Sequence, residues 1–288
     1  MMTGLVACVL VAAQAGGVVA GRPDAPPARE ALASYRNINL WDARQVPLAT
    51  GTGPLDRPFL TMFAPRGGTR NGASVIIAPG GSNIMLMYGA EGIDIAERYN
   101  DWGVTAFVLT YRMAPTYGDD ARVMDGTRAV QVVRSHAREW GLDPDRIGYI
   151  GFSAGSNMGR SVAAGSGPGD AGAADPVARV SSRPDYLALV YGAGRAAPGE
   201  SLAGFPPTFL VSAAADRGPS LGNAQLFADL TRAGAVAEIH VYQKGRHGFG
   251  SGFASPEFGG WMDALEHFLR LGAFLPPQPT VPRSGSRQ

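Results

Sequence analysis

The chain has 288 residues, of which 45% are hydrophobic and 17% are charged, and its formal net charge is +1. This composition is typical of a globular protein with ample material for a core, and the absence of a basic run gives no reason to expect a nucleic-acid or anionic-membrane partner. Cys8 is the only cysteine, which excludes an intrachain disulfide and a zinc site built from several cysteines.

The N-terminal segment, residues 1–20, is predicted to be a signal peptide. Its apolar run, Leu5 to Ala13, has the length of a signal-peptide core and is too short to cross a bilayer as a helix. Small residues around Ala15 and Ala20 offer two cleavage sites, although no Lys or Arg precedes the run. We therefore expect export to the periplasm or the medium without stable membrane insertion. The alternative is a cytoplasmic protein, if the run is not a signal.

One folded domain is predicted over residues 36–275. Residues 21–35 precede it as a linker, because three prolines fall among the nine residues from Gly21 to Arg29. Residues 276–288 are rich in Pro, Ser and Arg and are predicted to form a flexible tail.

Within the domain, apolar runs alternate with helical patterns. The runs predict strands at Phe59–Phe63, Ser74–Ala78, Val104–Thr110, Arg146–Ile150, Tyr186–Tyr191, Thr208–Ala213 and Ala237–Tyr242. The helical patterns cover Glu91–Trp102, Ala121–Trp140, Ala154–Ala164, Leu221–Ala233 and Pro256–Leu271. This alternation favours an α/β fold with a mostly parallel central sheet and helices on both faces. In such sheets, ligands bind at the carboxyl ends of the strands.

Ser153 is the candidate nucleophile. It is the central residue of Gly151-Phe152-Ser153-Ala154-Gly155, a G-x-S-x-G motif that joins a predicted strand to a predicted helix. Such a turn strains the backbone of the serine and exposes its hydroxyl, while the helix N-terminus favours negative charge. The alternative is a glycine-rich turn in which the serine only caps the helix.

His247 is the candidate base among four histidines. It follows the end of a predicted strand, in the glycine-rich loop from Gly245 to Gly250, where imidazole could reach the top of the sheet and exchange protons near neutral pH. His136 and His267 fall inside helical patterns, and His240 falls inside a strand. A loop histidine without a catalytic role is the alternative for His247.

Asp216 is the candidate acid that orients the imidazole. It follows the strand Thr208–Ala213 and precedes His247 by 31 residues, so the chain order is Ser, Asp, His. Its alternative role is that of a helix cap or turn aspartate. Asp185 and Glu200 are alternative acids, but each fits less well after a strand.

The oxyanion hole is predicted from Gly81 and Ser82, with the amide of Ala154 as a further donor. These residues follow the strand Ser74–Ala78 in the turn Pro79-Gly80-Gly81-Ser82-Asn83, which can aim backbone N–H groups at a developing negative charge. A plain strand-to-helix turn is the alternative. The next residues, Ile84 to Tyr88, are apolar and are interpreted equally as pocket lining or as packing.

These motifs together resemble the acetyl-xylan-esterase-like branch of the α/β-hydrolases, a group also labelled acetyl esterase/lipase or endo-xylanase-B-like. The similarity runs over residues 38–272 and rests on Asn39-Leu40-Trp41, Pro79-Gly80-Gly81, Glu91-Gly92, Leu109-Thr110-Tyr111-Arg112, Asp125, Arg128-Ala129-Val130, the G-x-S-x-G motif, Glu238-Ile239-His240-Val241-Tyr242, Gly245 and His247-Gly248-Phe249-Gly250. It implies an α/β-hydrolase fold, a triad of Ser153, Asp216 and His247, no cofactor, no metal, and small acyl esters on carbohydrate as substrates.

Three departures from the family pattern leave parts of this prediction open. Family members often read Gly-Gly-Gly-Tyr where this chain has Gly80-Gly81-Ser82-Asn83, and Ala-Gly-Gly-His-Leu where it has Ala154-Gly155-Ser156-Asn157-Met158. Both differences leave the acyl and sugar preference open. The acid loop often has paired aspartates, whereas here Asp216 is followed by Arg217, which weakens that assignment.

The sequence therefore predicts a serine esterase that cleaves short-chain, above all acetyl, esters through an acyl-enzyme. The ester is expected to be a small molecule or an acetylated carbohydrate such as xylan. A peptidase or a long-chain lipase on the same fold, and a catalytically inactive carbohydrate-binding homologue, are the alternatives. The oligomeric state does not follow from the sequence.

Overall fold

The computed structural model describes residues 35–66, 69–192, 200–252, 257–258 and 260–277. The predicted signal peptide, the linker up to residue 34 and the tail from residue 278 lie outside the described residues. From Arg36 onward the described chain belongs to one compact unit. Within it, no helix is long and apolar enough to span a bilayer.

A single sheet runs through the described domain. Its strands are β1 (Arg36–Asn39), β2 (Phe59–Phe63), β3 (Ser74–Ala78), β4 (Thr105–Thr110), β5 (Ile147–Phe152), β6 (Tyr186–Val190), β7 (Thr208–Ala213) and β8 (Ala237–Tyr242). Their spatial order is β1-β2-β4-β3-β5-β6-β7-β8. β1 pairs antiparallel with β2, and β2 with β4, whereas every pair from β4 to β8 is parallel. The predicted mostly parallel sheet is confirmed, with an antiparallel edge.

Helices cover both faces of this sheet. They are α1 (Asp94–Asp101), α2 (Asp119–Ser135), α3 (Ala154–Ala164), α4 (Arg217–Arg232) and α5 (Trp261–Leu271), accompanied by a π-helical turn at Gly89–Ile93 and 3₁₀ turns at Pro54–Asp56 and Pro176–Arg179. Side chains of β5 show the two faces: Tyr149 packs against Gly159 of α3, and the Phe152 ring lies 6.2 Å from that of Trp261 in α5. Successive strand residues point to opposite faces, so residues three apart meet different helix layers.

The central strands are buried on both faces, which explains their unbroken apolar runs. Every residue of β3, β5, β6 and β7 is buried. Four predicted strands, β2, β3, β7 and β8, match the structure at both ends. β1 was not predicted, because its sequence Arg-Asn-Ile-Asn offers a single apolar residue and it lies at the sheet edge.

The predicted helix ends were wrong in several places. The helix predicted to reach Trp140 ends at Ser135, because the chain turns at His136 while Trp140 still packs on Phe107 and so prolongs the apolar pattern. The last helix begins at Trp261 rather than at residue 256, which lies outside the described part. α4 begins four residues before the predicted Leu221. The helix predicted from Glu91 begins as the π-helical turn.

Candidate active site

Ser153 occupies a strained turn between β5 and α3. Its backbone has φ 50° and ψ −112°, outside the regions that residues with a side chain normally adopt, and its amide donates to the Val190 carbonyl of β6 at 2.9 Å. The flanking glycines leave no room for a side chain. A Cβ at Gly151 would lie 2.3 Å from the Gly155 carbonyl oxygen, and one at Gly155 would lie 2.1 Å from that of Ala78. Ser153 stands at the helix N-cap, but its side chain makes no capping bond.

The three predicted triad side chains form one hydrogen-bonded chain. Ser153 Oγ lies 2.7 Å from His247 Nε2, and His247 Nδ1 lies 2.6 Å from Asp216 Oδ2. β5, β7 and β8 deliver them at their carboxyl ends, as predicted for ligand sites in parallel sheets. The imidazole is 47% exposed and the carboxylate 15%, so a ligand can reach the histidine while the aspartate is shielded. Asp216 also stands at a helix N-cap without making a capping bond, because its carboxylate turns to the imidazole instead.

The alternative acids lie elsewhere. Asp185 precedes β6, at the opposite end of the sheet, where its carboxylate accepts from Arg134 and from the Ile147 amide at 2.9 and 2.8 Å. Glu200 forms an ion pair with Arg160 of α3.

The other histidines lie away from Ser153, and two of them make structural contacts. The His136 ring stacks on Trp140 with centroids 4.8 Å apart, and His240 pairs with Glu238 on β8 at 2.7 Å. His267 lies on α5. Of the four histidines, all of which are described, only His247 forms a hydrogen bond with Ser153.

The loop from Pro79 to Asn83, here called the oxyanion loop, approaches the serine directly. A Cβ at Gly80 would lie 2.9 Å from the Cβ of Ser153. Gly81, Ser82 and Asn83 have φ values of 133°, 56° and 62°, a left-handed run that turns the chain sharply after β3. The Gly81 carbonyl accepts from the amides of Ile84 and Met85 at 3.1 and 3.2 Å.

The backbone N–H groups predicted to form the oxyanion hole are not used in other hydrogen bonds among the described residues. Within the described part of the chain, the amide N–H groups of Gly81, Ser82 and Ala154 meet no protein acceptor. Unpaired N–H groups beside a helix N-terminus favour an anion. Of the apolar residues that follow, Ile84, Met85 and Met87 are exposed, whereas Leu86 packs against the core.

Two buried side chains, Glu91 and Tyr191, lie beneath the site, and neither has a sequence context that predicts a role there. Glu91 is 3% exposed, and its carboxylate accepts from the Gly80 amide and from the Tyr191 hydroxyl, both at 2.7 Å. The same hydroxyl accepts from the Gly250 amide at 3.1 Å. Burial, reinforced by the neighbouring Glu91 carboxylate, raises the pKa of Tyr191, so the phenol keeps its proton. Glu91 belongs to a recognised motif, but its partners could not be deduced because Tyr191 is 100 residues away.

Two cavities flank this arrangement. The larger, about 480 Å³, lies beside the loop Gly245–Gly250, here called the histidine loop, and includes Arg246, His247 and Phe249 in its wall. The smaller, about 290 Å³, is lined by Asn83, Asp119, Arg122, Val123, Ala154, Asn157, Met158 and Ser161. Both mix polar with apolar side chains. No group of three or more His, Cys, Asp or Glu side chains among the described residues could hold a metal ion.

Known proteins are similar to this chain in sequence and in fold. A family model described as the α/β-hydrolase fold matches residues 94–196. An acetylxylan esterase of Xylanibacter ruminicola is 28% identical over 229 residues, which make up 71% of this chain and 45% of that protein. The chain therefore spans less than half the length of this curated relative.

Solved structures share the same architecture. An acetyl ester-xyloside bifunctional hydrolase of Caldicellulosiruptor lactoaceticus has a TM-score of 0.75 at 28% identity, covering 83% of this chain and 97% of that one. A thermophilic esterase of Thermogutta terrifontis has a TM-score of 0.67 at 19% identity, covering 77% and 90%. The α/β-hydrolase fold predicted for the chain is confirmed.

Proposed function

We propose that this chain, an α/β-hydrolase of the acetylxylan-esterase-like branch, is a serine esterase that removes short acyl groups, above all acetyl, from carbohydrate esters such as acetylated xylan. The observation that carries the proposal is the unbroken hydrogen-bonded chain from Ser153 Oγ through His247 to Asp216, anchored on a strained strand–helix turn. Ser153 and His247 are 94 positions apart in the chain, and Asp216 and His247 are 31 positions apart. A strained backbone that brings such distant groups into one hydrogen-bonded chain costs stability, which points to a function.

The first half-reaction transfers the acyl group to the enzyme. His247 Nε2 accepts the proton of Ser153 Oγ as the oxygen attacks the ester carbonyl, while Asp216 holds the Nδ1–H and stabilises the imidazolium. The carbonyl oxygen becomes an oxyanion that accepts from the amides of Gly81, Ser82 and Ala154. One such donor typically contributes about 2.7–4 kcal/mol to stabilising the transition state. The tetrahedral intermediate collapses, the imidazolium protonates the departing alcohol, and the acyl group stays on Ser153.

The second half-reaction returns the enzyme to its resting state. A water molecule gives its proton to His247 and attacks the acyl carbonyl. The resulting tetrahedral intermediate then expels Ser153 Oγ, which takes the proton back from the imidazolium. The products are a carboxylic acid and the free enzyme. No cofactor or metal takes part in either step.

The preference for short acyl groups and a polar alcohol is supported by the surroundings of the serine. The smaller cavity has polar groups from Asn83, Arg122 and Asn157 in its wall beside a few apolar side chains, so it is not an apolar tunnel. A long acyl chain that entered it would displace water from these polar groups without replacing their hydrogen bonds. The name of one similar protein includes acetylxylan, and the name of another includes an acetyl ester and a xyloside.

The experiment compares hydrolysis of p-nitrophenyl acetate, butyrate and octanoate, and acetate release from acetylated xylan, by the wild type and by Ser153→Ala. We expect activity that is highest on acetate, falls steeply beyond butyrate and drops by at least about 10³-fold in Ser153→Ala. Ser135→Ala, which removes an exposed serine hydroxyl from the last turn of α2, outside both cavities, is the control and should retain activity.

Each alternative function has its own outcome in this series. Equal rates for the wild type and Ser153→Ala would refute the nucleophile. Octanoate as the best substrate would indicate a lipase, and cleavage of peptide p-nitroanilides faster than esters would indicate a peptidase. Saturable xylan binding without any ester hydrolysis would indicate an inactive binding protein.

A further inference from the structure

We propose that Glu91 is a positioning residue that fixes the oxyanion loop and the histidine loop of this esterase relative to each other, with Tyr191 as the link between them. The inference rests on the proposed function, since it concerns how the two loops act together in ester hydrolysis. It adds to the triad a buried carboxylate that does not touch the substrate.

The first contact ties Glu91 to the oxyanion loop. Glu91 lies in the π-helical turn Gly89–Ile93, and its Oε2 accepts the Gly80 amide at 2.7 Å, directly before the donors of Gly81 and Ser82. Gly80 packs so closely that an added Cβ would fall 2.8 Å from this oxygen and 2.9 Å from the Cβ of Ser153. A shift of the Gly80 amide therefore shifts the loop relative to the nucleophile.

The second contact ties the same carboxylate to the histidine loop. Glu91 Oε1 accepts the Tyr191 hydroxyl at 2.7 Å, and that hydroxyl accepts the Gly250 amide at 3.1 Å. The Tyr191 ring also lies 5.0 Å from the ring of His247 and 4.6 Å from that of Phe249. The Tyr191 hydroxyl therefore binds the histidine loop, and its own orientation is fixed by the hydrogen bond that it donates to Glu91.

The position of Tyr191 requires a strained backbone conformation. It follows β6 with φ 38°, a conformation that is strained for an aromatic residue, and its amide donates to the Val211 carbonyl at 2.8 Å. The preceding residue, Val190, accepts the amide of Ser153. The strained turn therefore places the phenol between the backbone of the Ser153 turn and the histidine loop. Among the described residues, the phenol donates its proton to Glu91 alone.

The side chain at position 91 must offer two acceptor oxygens, because both of its hydrogen-bond partners are donors. A glutamine has one oxygen and one NH₂ group. If its oxygen faces Gly80, its NH₂ group faces Tyr191, and the phenol proton loses its acceptor. If it is turned round, two N–H donors oppose each other at Gly80. Either orientation leaves one buried donor unpaired and pushes one loop away from its place.

The test measures kcat and KM on p-nitrophenyl acetate for Glu91→Gln, Tyr191→Phe and the double variant, with folding checked by circular dichroism. It also measures inhibition by trifluoroacetophenone, whose ketone forms a tetrahedral adduct with a catalytic serine. Glu91→Gln should lower kcat about 10–100-fold, less than the 10²–10³ lost when an oxyanion donor is removed outright. KM should change by less than about twofold, and ketone affinity should weaken in parallel with kcat/KM.

Tyr191→Phe should lower kcat by at least about fivefold, and the double variant should lose less than the product of the two single losses, because both residues act through one connection. The matched controls are Glu97→Gln, on an exposed glutamate of the adjoining helix, and Tyr149→Phe, on a buried hydroxyl that has no hydrogen-bond partner among the described residues. Both should retain the wild-type kcat.

Folded variants whose kcat and ketone affinity equal those of the wild type would overturn the inference, even if their melting temperatures fell, because that is the signature of a purely structural contact. If Glu91→Gln does not fold, Tyr191→Phe decides alone, and an unchanged kcat overturns the inference. A wild-type activity that does not depend on Ser153 overturns the proposed function and this inference together. If activity depends on Ser153 but neither Glu91→Gln nor Tyr191→Phe changes it, this inference is overturned and the proposed function is not.

Discussion

At the scale of single residues, the site combines groups whose chemistry is visible in the sequence with groups whose roles depend on the fold. Ser153, Asp216 and His247 could be selected because each follows a strand in a loop or turn, and the carboxyl ends of parallel strands share one edge. Glu91 and Tyr191 could not be assigned roles, because a glutamate in a helical pattern and a tyrosine ending a strand are ordinary residues there. Their importance follows from burial and from contacts across 100 positions of the chain.

Replacing Asp216 by Asn tests the acid at this scale. The amide can present its NH₂ group to Nδ1, which favours the tautomer with the proton on Nε2, where it opposes the proton of Ser153 Oγ. We expect kcat on p-nitrophenyl acetate at neutral pH to fall by about 10²–10⁴-fold with little change in KM.

Asp42→Asn, on an exposed carboxylate, is the control and should be neutral. Retention of more than about a third of kcat by a folded Asp216→Asn variant would assign the orienting role to another group.

At the scale of elements, the strands follow from the sequence more closely than the helix ends do. A strand buried on both faces must be apolar throughout, so β3 and β7 are visible as short runs with sharp ends. A helix end depends on where the backbone turns, and α2 ends at Ser135 although apolar packing continues to Trp140. β1 is short and polar, and it forms only because β2 offers an open edge.

An ion pair fixes α2 to the end of β4. Arg112, directly after Tyr111, donates to Asp125 of α2 through its backbone amide at 2.9 Å, through Nε at 3.0 and 3.1 Å, and through Nη2 at 2.7 Å. Both side chains are fully buried. The pKa of Asp125 is raised by this burial, while the bonds from Arg112 act in the opposite direction. Both residues belong to the family motifs, and the structure gives them a role in holding the fold together.

Asp125→Asn should destabilise the domain by about 3–5 kcal/mol, because it leaves the buried Arg112 guanidinium without its counter-charge. Urea unfolding followed by circular dichroism measures this loss. Asp145→Asn, on an exposed aspartate, should change the free energy of unfolding by less than about 0.5 kcal/mol. A loss below about 1 kcal/mol for Asp125→Asn would mean that the pair is not needed for stability.

At the scale of the whole molecule, the sheet order brings distant segments together. β5 lies between β3 and β6, so the serine turn meets the oxyanion loop on one side and the Tyr191 turn on the other. This arrangement could be predicted in outline from the alternation of strands and helices. The substrate could not be predicted, because Ser82 and Asn83 of the oxyanion loop and Asn157 of α3 differ from the pattern of the family that the sequence resembles. Asn83 and Asn157 line the smaller cavity, and the side-chain geometry of such a cavity does not follow from periodicity.

The fate of the N-terminus is a prediction at this scale. If residues 1–20 direct export, the protein recovered from the periplasm or medium of expressing cells should begin after Ala15 or Ala20. N-terminal sequencing of that protein measures the cleavage position. Intact Met1 on protein confined to the cytoplasm would favour the cytoplasmic alternative.

Labelling with a fluorophosphonate, followed by intact-mass measurement and peptide mapping, shows directly whether Ser153 is the nucleophile. We expect one adduct per chain, located on Ser153, absent from Ser153→Ala and formed much more slowly by His247→Ala. No adduct on active wild-type enzyme, or an adduct on any residue other than Ser153, would contradict this expectation.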